Sequence, residues 1–79
     1  MKANRAYRLL VSREGRGPAI FAPPDRLDRV EVVEIDSGEA VLLWDLPPRE
    51  ARRLANALRE DMALMEAADF LDAWRTAQE

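Results

Sequence analysis

Apolar residues alternate weakly from Arg5 to Ser12, with Tyr7, Leu9 and Val11 on one side, which predicts a β-strand. Two glycines in Arg13-Glu14-Gly15-Arg16-Gly17 predict a turn after it, because glycine accepts the positive φ that tight turns require. Pro18 to Ala22 fits a short second strand with proline at its first position, where no ladder hydrogen bond is lost. Pro23-Pro24-Asp25 ends that strand, and residues 25–28 read as a turn or a single helical turn.

The strongest pattern lies between Val30 and Leu46. Val30-Glu31-Val32-Val33-Glu34-Ile35 and Ala40-Val41-Leu42-Leu43-Trp44 flank Asp36-Ser37-Gly38-Glu39, which predicts a β-hairpin with Gly38 in the left-handed position. In the second run Leu42, Trp44 and Leu46 share one face, and Val41 and Leu43 share the other. A strand apolar on both faces is expected to be central and covered on both sides.

A long helix follows. Pro47-Pro48 stands at its entry, where a missing N–H costs nothing, and Glu50 complements the N-terminal dipole. No glycine or proline interrupts Arg49 to Gln78, and alanine, leucine, arginine and glutamate dominate. Ala51, Leu54, Ala55, Leu58, Met62 and Met65 form one stripe at helical spacing. Beyond Met65 the same face would carry Asp69 and Asp72, while the apolar positions become Leu64, Ala67, Phe70, Leu71 and Trp74.

Two arrangements fit this change of face. In one, the helix breaks near residue 68 with Asp69 as the N-cap of a helix that folds back. In the other it stays straight and offers its last turns to another subunit. A straight helix of that length would run about 45 Å, longer than any sheet this chain can build. The expected fold class is α+β: an antiparallel β-meander of three to four strands followed by a long C-terminal α-helix, in one domain over residues 1–79. Leu46-Pro47-Pro48-Arg49-Glu50-Ala51-Arg52-Arg53-Leu54-Ala55 resembles the strand-exit and helix-entry pattern of small proteins from GC-rich bacteria. That likeness implies no activity.

Composition narrows the chemistry. A chain of 79 residues buries only roughly 60% of its unfolded surface on folding, so a single core is marginal and association is a common remedy. Hydrophobic residues at 48% and charged residues at 34% argue against wholesale disorder. With no cysteine there is no disulfide scaffold, zinc knuckle or thiol nucleophile. No apolar run reaches the roughly 18 residues of a membrane span, and the apolar stretch of the first twelve residues is too short for a signal peptide. A cytoplasmic location is the expectation.

Histidine is also absent, which leaves carboxylates, Tyr7, Ser12, Ser37, Thr76 and Lys2 as the only candidate reactive groups. Ser37 sits where a hairpin loop favours serine for local hydrogen bonds. Gly15-Arg16-Gly17 lacks the length and lysine of a phosphate-cradling loop. Asp36-Ser37-Gly38-Glu39 is too short to wrap calcium, and Glu66, Asp69 and Asp72 read as a solvated acidic ridge. We therefore expect no enzyme, no catalytic residue, no metal, no cofactor and no small-molecule substrate.

Charge separates along the chain. Residues 1–30 carry seven basic side chains against Glu14, Asp25 and Asp28, a net of +4, whereas residues 31–79 carry five arginines against twelve carboxylates, a net of −7. All basic residues except Lys2 are arginine, which grips carboxylate or phosphate in bidentate fashion but also follows simply from a GC-rich genome. Arg49, Arg52, Arg53 and Arg59, with Arg13 and Arg16 at the first turn, form the candidate basic partner face. A solvated surface is the plain alternative.

The apolar excess gives the other candidate surface. Leu64, Phe70, Leu71 and Trp74, with Val41 and Leu43 on the second face of their strand, exceed what one helix on one sheet can cover. The expected function is a non-enzymatic protein-protein interaction or regulatory module, homodimeric through its C-terminal helix and docking on another protein. The alternatives are a small nucleic-acid-associated regulator, or an inhibitor that presents Glu60, Asp61, Glu66, Asp69 and Asp72 to a nucleic-acid-processing enzyme. Nucleic acid is the less favoured partner because overall acidity and a lone Tyr7 give little to stack bases on. A ribbon-helix-helix arrangement of residues 40–79 is set aside because Ala40-Val41-Leu42-Leu43-Trp44 is too apolar for a DNA groove.

Overall fold

A computed structural model describes residues 1–13 and 26–78. A single helical turn, α1 (Ala3–Ala6), leads into β1 (Tyr7–Arg13). Strands β2 (Asp28–Glu34) and β3 (Ala40–Leu46) follow, then helices α2 (Pro48–Leu64) and α3 (Ala67–Gln78). The sheet is an antiparallel meander in the order β1-β2-β3, so the fold is α+β with its helices in the C-terminal half. The expected second strand at Pro18 to Ala22 and the Gly15/Gly17 turn lie outside the described residues.

The hairpin closes as its sequence indicates. Gly38 has φ 75°, and its N–H donates to the Glu34 carbonyl at 2.8 Å. The Ser37 hydroxyl accepts the Glu39 N–H at 3.2 Å, a local bond that accounts for serine there. Val32 pairs with Leu42 but Val33 pairs with Ala40, so Val41 is the additional residue of a bulge.

The structure corrects the expectation that the Ala40–Leu46 strand is central. Among the described residues β2 is the middle strand and β3 lies at an edge. One face of β2, carrying Asp28, Val30 and Val32, is buried beneath the helices. On β3, Leu42 is buried with its face-mates Trp44 and Leu46 half-covered, but Leu43 on the other face remains 40% exposed. Apolar character alone did not bring that second face a cover. Asp28 belongs to β2 rather than to a helical turn, and β1 begins at Tyr7 because residues 3–6 coil into α1.

Helix α2 buries the predicted stripe. Ala51, Ala55, Leu58 and Met62 are buried, with Leu54 and Met65 half-covered beside them. Pro48 occupies its first turn, where a proline displaces no intrahelical bond.

The helix then stops without glycine or proline. The break falls at Met65 and Glu66 rather than near residue 68, and Asp69 lies in the first turn of α3 instead of capping it. The chain start supplies the cause. Ala3 N–H donates to the Met65 carbonyl and Ala67 N–H donates to the Met1 carbonyl, both at 2.9 Å, making a short antiparallel bridge across the break. Lys2 Nζ donates to the Leu64 carbonyl at 3.0 Å, and the N-terminal ammonium meets Glu66 Oε2 at 2.7 Å. Of the groups that the two helix ends leave unmatched, the Leu64 and Met65 carbonyls and the Ala67 N–H are thereby satisfied.

Folding back places α3 against the core. Phe70 is fully buried, with its ring 5.9 Å from Tyr7 and 6.4 Å from Trp74. Trp74 meets Trp44 of β3 edge-to-face at 6.0 Å, and its indole N–H donates to Asp61 Oδ2 at 3.0 Å. Ala3 beneath the break is fully buried, and its small side chain lets the two helix ends approach α1.

Phe70→Ala should lower unfolding free energy by about 3–5 kcal/mol in urea titrations, whereas Leu64→Ala, at a site 72% exposed, should stay within about 0.5 kcal/mol. The Glu66 carboxyl titrates below its ordinary value, first because it accepts the hydrogen bond of the N-terminal ammonium and then because of that positive charge. A depressed carboxyl stabilises the fold above its unfolded pKa, and the contribution disappears as pH falls through the folded value. Glu66→Gln should therefore be less stable than the parent chain at pH 7, with the difference closing in acid.

Candidate functional site

Where β1 ends and α2 begins, the sheet and helix diverge around a cleft of about 210 Å³. Four guanidinium-bearing residues line it: Arg13 from the end of β1, Arg26 just before β2, and Arg52 and Arg59 from α2. Arg52 and Arg59 are seven residues apart, close to two helical turns, so they stand on one side of α2. Ala51 and Ala55 supply the floor, and their small side chains leave the space open.

One carboxylate stands among the arginines. Asp28 pairs across the ladder with Arg13 and is only 7% exposed. Arg26 Nε lies 3.3 Å from Asp28 Oδ1, close enough for an ion pair, yet the alignment makes no hydrogen bond. Both atoms are buried and unbonded among the described residues. With almost no surface open to solvent, these two atoms face each other's charge rather than the open cleft.

Among the described residues that line the cleft, four arginines and one aspartate give a formal charge of +3. Arg13, Arg52 and Arg59 are exposed, and Arg59 donates to Asn56 Oδ1 at 3.3 Å. The first turn of α2 also borders the space through Pro48, and the positive end of a helix dipole adds to the attraction for anions.

The structure thus divides the predicted basic face. It gathers Arg13, Arg52 and Arg59 at the cleft and leaves Arg49 and Arg53 exposed outside it, while Arg16 lies outside the described residues. Arg26 and Asp28 were missed from the sequence. Their i, i+2 spacing in extended chain, which places both on one side, is the signal that could have found them.

The predicted apolar interface is divided more severely. Phe70 cannot anchor a partner because it fills this chain's own core. Trp74, Leu71 and Val41 pack partly against that core, and Leu64 and Leu43 alone of the six keep an exposed surface. Of the acidic tail, Asp61 is held by Trp74 and Glu66 by the chain start. Glu60, Asp69 and Asp72 are exposed.

Three of the other candidate reactive groups have local duties, and Ser12 is exposed on β1. Tyr7 is buried beside Phe70, Ser37 closes the hairpin, and Thr76 Oγ1 donates to the Asp72 carbonyl at 3.0 Å. Among the described residues no cluster of three acidic side chains could hold a metal ion, and no helix is long and apolar enough to cross a membrane.

Because Arg52 and Arg59 are exposed, Arg52→Ala and Arg59→Ala should each change the urea unfolding free energy by no more than about 0.5 kcal/mol, leaving them suitable as binding variants. Comparison with protein-family models, curated proteins and solved structures gave no match.

Proposed function

We propose that this chain is a non-enzymatic interaction module that docks on an anionic segment of another protein through the arginine-lined cleft. The supporting observation is the convergence of Arg13, Arg26, Arg52 and Arg59 on one concavity, with Asp28 the one carboxylate among the described residues that line it. Guanidinium groups from separate elements can grip successive acidic side chains by paired hydrogen bonds, which gives direction as well as attraction. A concave site of this size admits a side chain or a short loop.

Protein fits better than nucleic acid. Nucleic-acid surfaces combine a basic track with aromatic rings for stacking, and the one tyrosine here is buried in the core. Self-association through the C-terminal helix is not part of the reading, since Phe70 and Trp74 are engaged within the chain.

A fluorescent ten-residue glutamate-rich peptide should bind with an affinity that falls steeply between 50 and 200 mM salt, and the double variant Arg52→Ala/Arg59→Ala should weaken it at least about tenfold. An oligodeoxynucleotide of equal charge that bound as tightly or more tightly would transfer the reading to nucleic acid.

A further inference from the structure

Charge is not the only thing that lines the cleft. On the helix-facing side of β1, Tyr7 is buried and Leu9 is half-covered, but Val11 is 45% exposed. Val11 pairs across the ladder with Val30, which is fully buried, so the apolar layer between sheet and helix runs out into the cleft at Val11. From the α2 side, half-buried Pro48 adds apolar surface. A purely acidic segment would leave that surface in water.

The open space has its cause in the sequence of α2. Ala55 follows Arg52 by three residues and precedes Arg59 by four, so one stripe of the helix carries a methyl group between two long side chains. A larger residue there would fill the opening. The cleft volume of about 210 Å³ exceeds the roughly 150 Å³ in which a protein cavity takes up benzene, so a leucine or phenylalanine side chain fits. Arg52 and Arg59 are exposed, and an arginine offers its methylene stem to an apolar neighbour while its guanidinium stays in water.

We infer, on the docking reading above, that the docked segment of the partner protein carries one apolar side chain between its acidic ones. The apolar side chain seats on Val11, and the flanking carboxylates meet Arg13, Arg52 and Arg59. Charge complementarity selects this occupant: those three arginines are exposed where they line the cleft, whereas Arg26 already faces Asp28. Interfaces concentrate their affinity in a buried anchor enclosed by contacts that exclude water, and the combination of Val11 with an arginine surround has that form. Val11 is thus a specificity residue, because it separates an acidic segment with an apolar centre from one that is acidic throughout.

The test compares fluorescence anisotropy titrations of the full chain with two glutamate-rich ten-residue peptides of equal charge, one with leucine at its centre and one with serine. The leucine peptide should bind at least about tenfold more tightly, and the ratio should persist from about 100 to about 300 mM salt, because screening weakens both peptides alike. Val11→Ser, at an exposed position, should bring the ratio to about twofold or less. Arg52→Ala/Arg59→Ala should weaken both peptides by a similar factor and leave the ratio in place.

Equal affinity of the parent chain for the two peptides would overturn the inference and leave the docking reading intact, a result that stands even if the Val11 variant fails to fold. A ratio that survives Val11→Ser would also overturn it, since the leucine would then rest on other apolar surface such as exposed Leu10 and Leu43. Failure of both peptides to bind would remove this inference and the docking reading together. The chain itself exposes Leu64 one helical turn after exposed Glu60, so light scattering of the chain alone is the remaining check. A dimer or larger species that both Leu64→Ala and Val11→Ser dissolve would give the site to a second copy and overturn its assignment to another protein.

Discussion

Everything on the C-terminal side of this fold depends on two backbone hydrogen bonds between the start of the chain and the junction of the last two helices. Ala3 caps the Met65 carbonyl and Met1 caps the Ala67 N–H, so two of the peptide groups that the break exposes are matched by groups from the start of the chain. With the break held, α3 turns back and Phe70 reaches the core. A continuous helix would carry that ring away from the sheet and leave Tyr7 uncovered. Lys2 and Glu66 reinforce the same point with charge, but both are exposed, so solvent screens much of their attraction. The geometry of the bridge, rather than the ion pairs, sets the turn.

This origin explains which parts of the fold were legible in the sequence. The hairpin was visible because Gly38 and the flanking apolar runs act locally, and the α2 stripe because helical spacing is local too. The break announced itself only as a change of apolar face after Met65. Its position was misplaced by about three residues, toward Asp69, the nearest conventional capping residue. No local grammar stops a helix at Leu64-Met65-Glu66; a strand-like contact from residues 1–3 does, and single-sequence patterns hold no record of it. The two-faced apolar strand misled in a related way, because a bulge at Val41 and a free edge tolerate an exposed Leu43 that an alternation argument assigns to a covered layer.

The cleft was half legible. A run of arginines on α2 announced a basic surface, but the sequence could not separate Arg52 and Arg59, which border the cleft, from Arg49 and Arg53, which do not. That division depends on how α2 lies across the end of the sheet. Arg26 and Asp28 stood among turn-like residues and read as punctuation, although strand register brings Asp28 opposite Arg13. Of the apolar excess, Phe70 is covered from within the chain by the helix that folds back, whereas Leu64 and Leu43 stay exposed.

The contact between Trp44 and Trp74 has an optical consequence. The chain has two tryptophans, and they meet each other at the seam where α3 lies on β3. Intrinsic tryptophan fluorescence therefore monitors one seam and is nearly silent about the hairpin loop and the cleft. Backbone circular dichroism weighs all helices and strands together. If α3 lifts before the sheet melts, emission changes at lower denaturant than ellipticity does, and the separation between the two curves measures how far the C-terminal helix unfolds as a unit of its own.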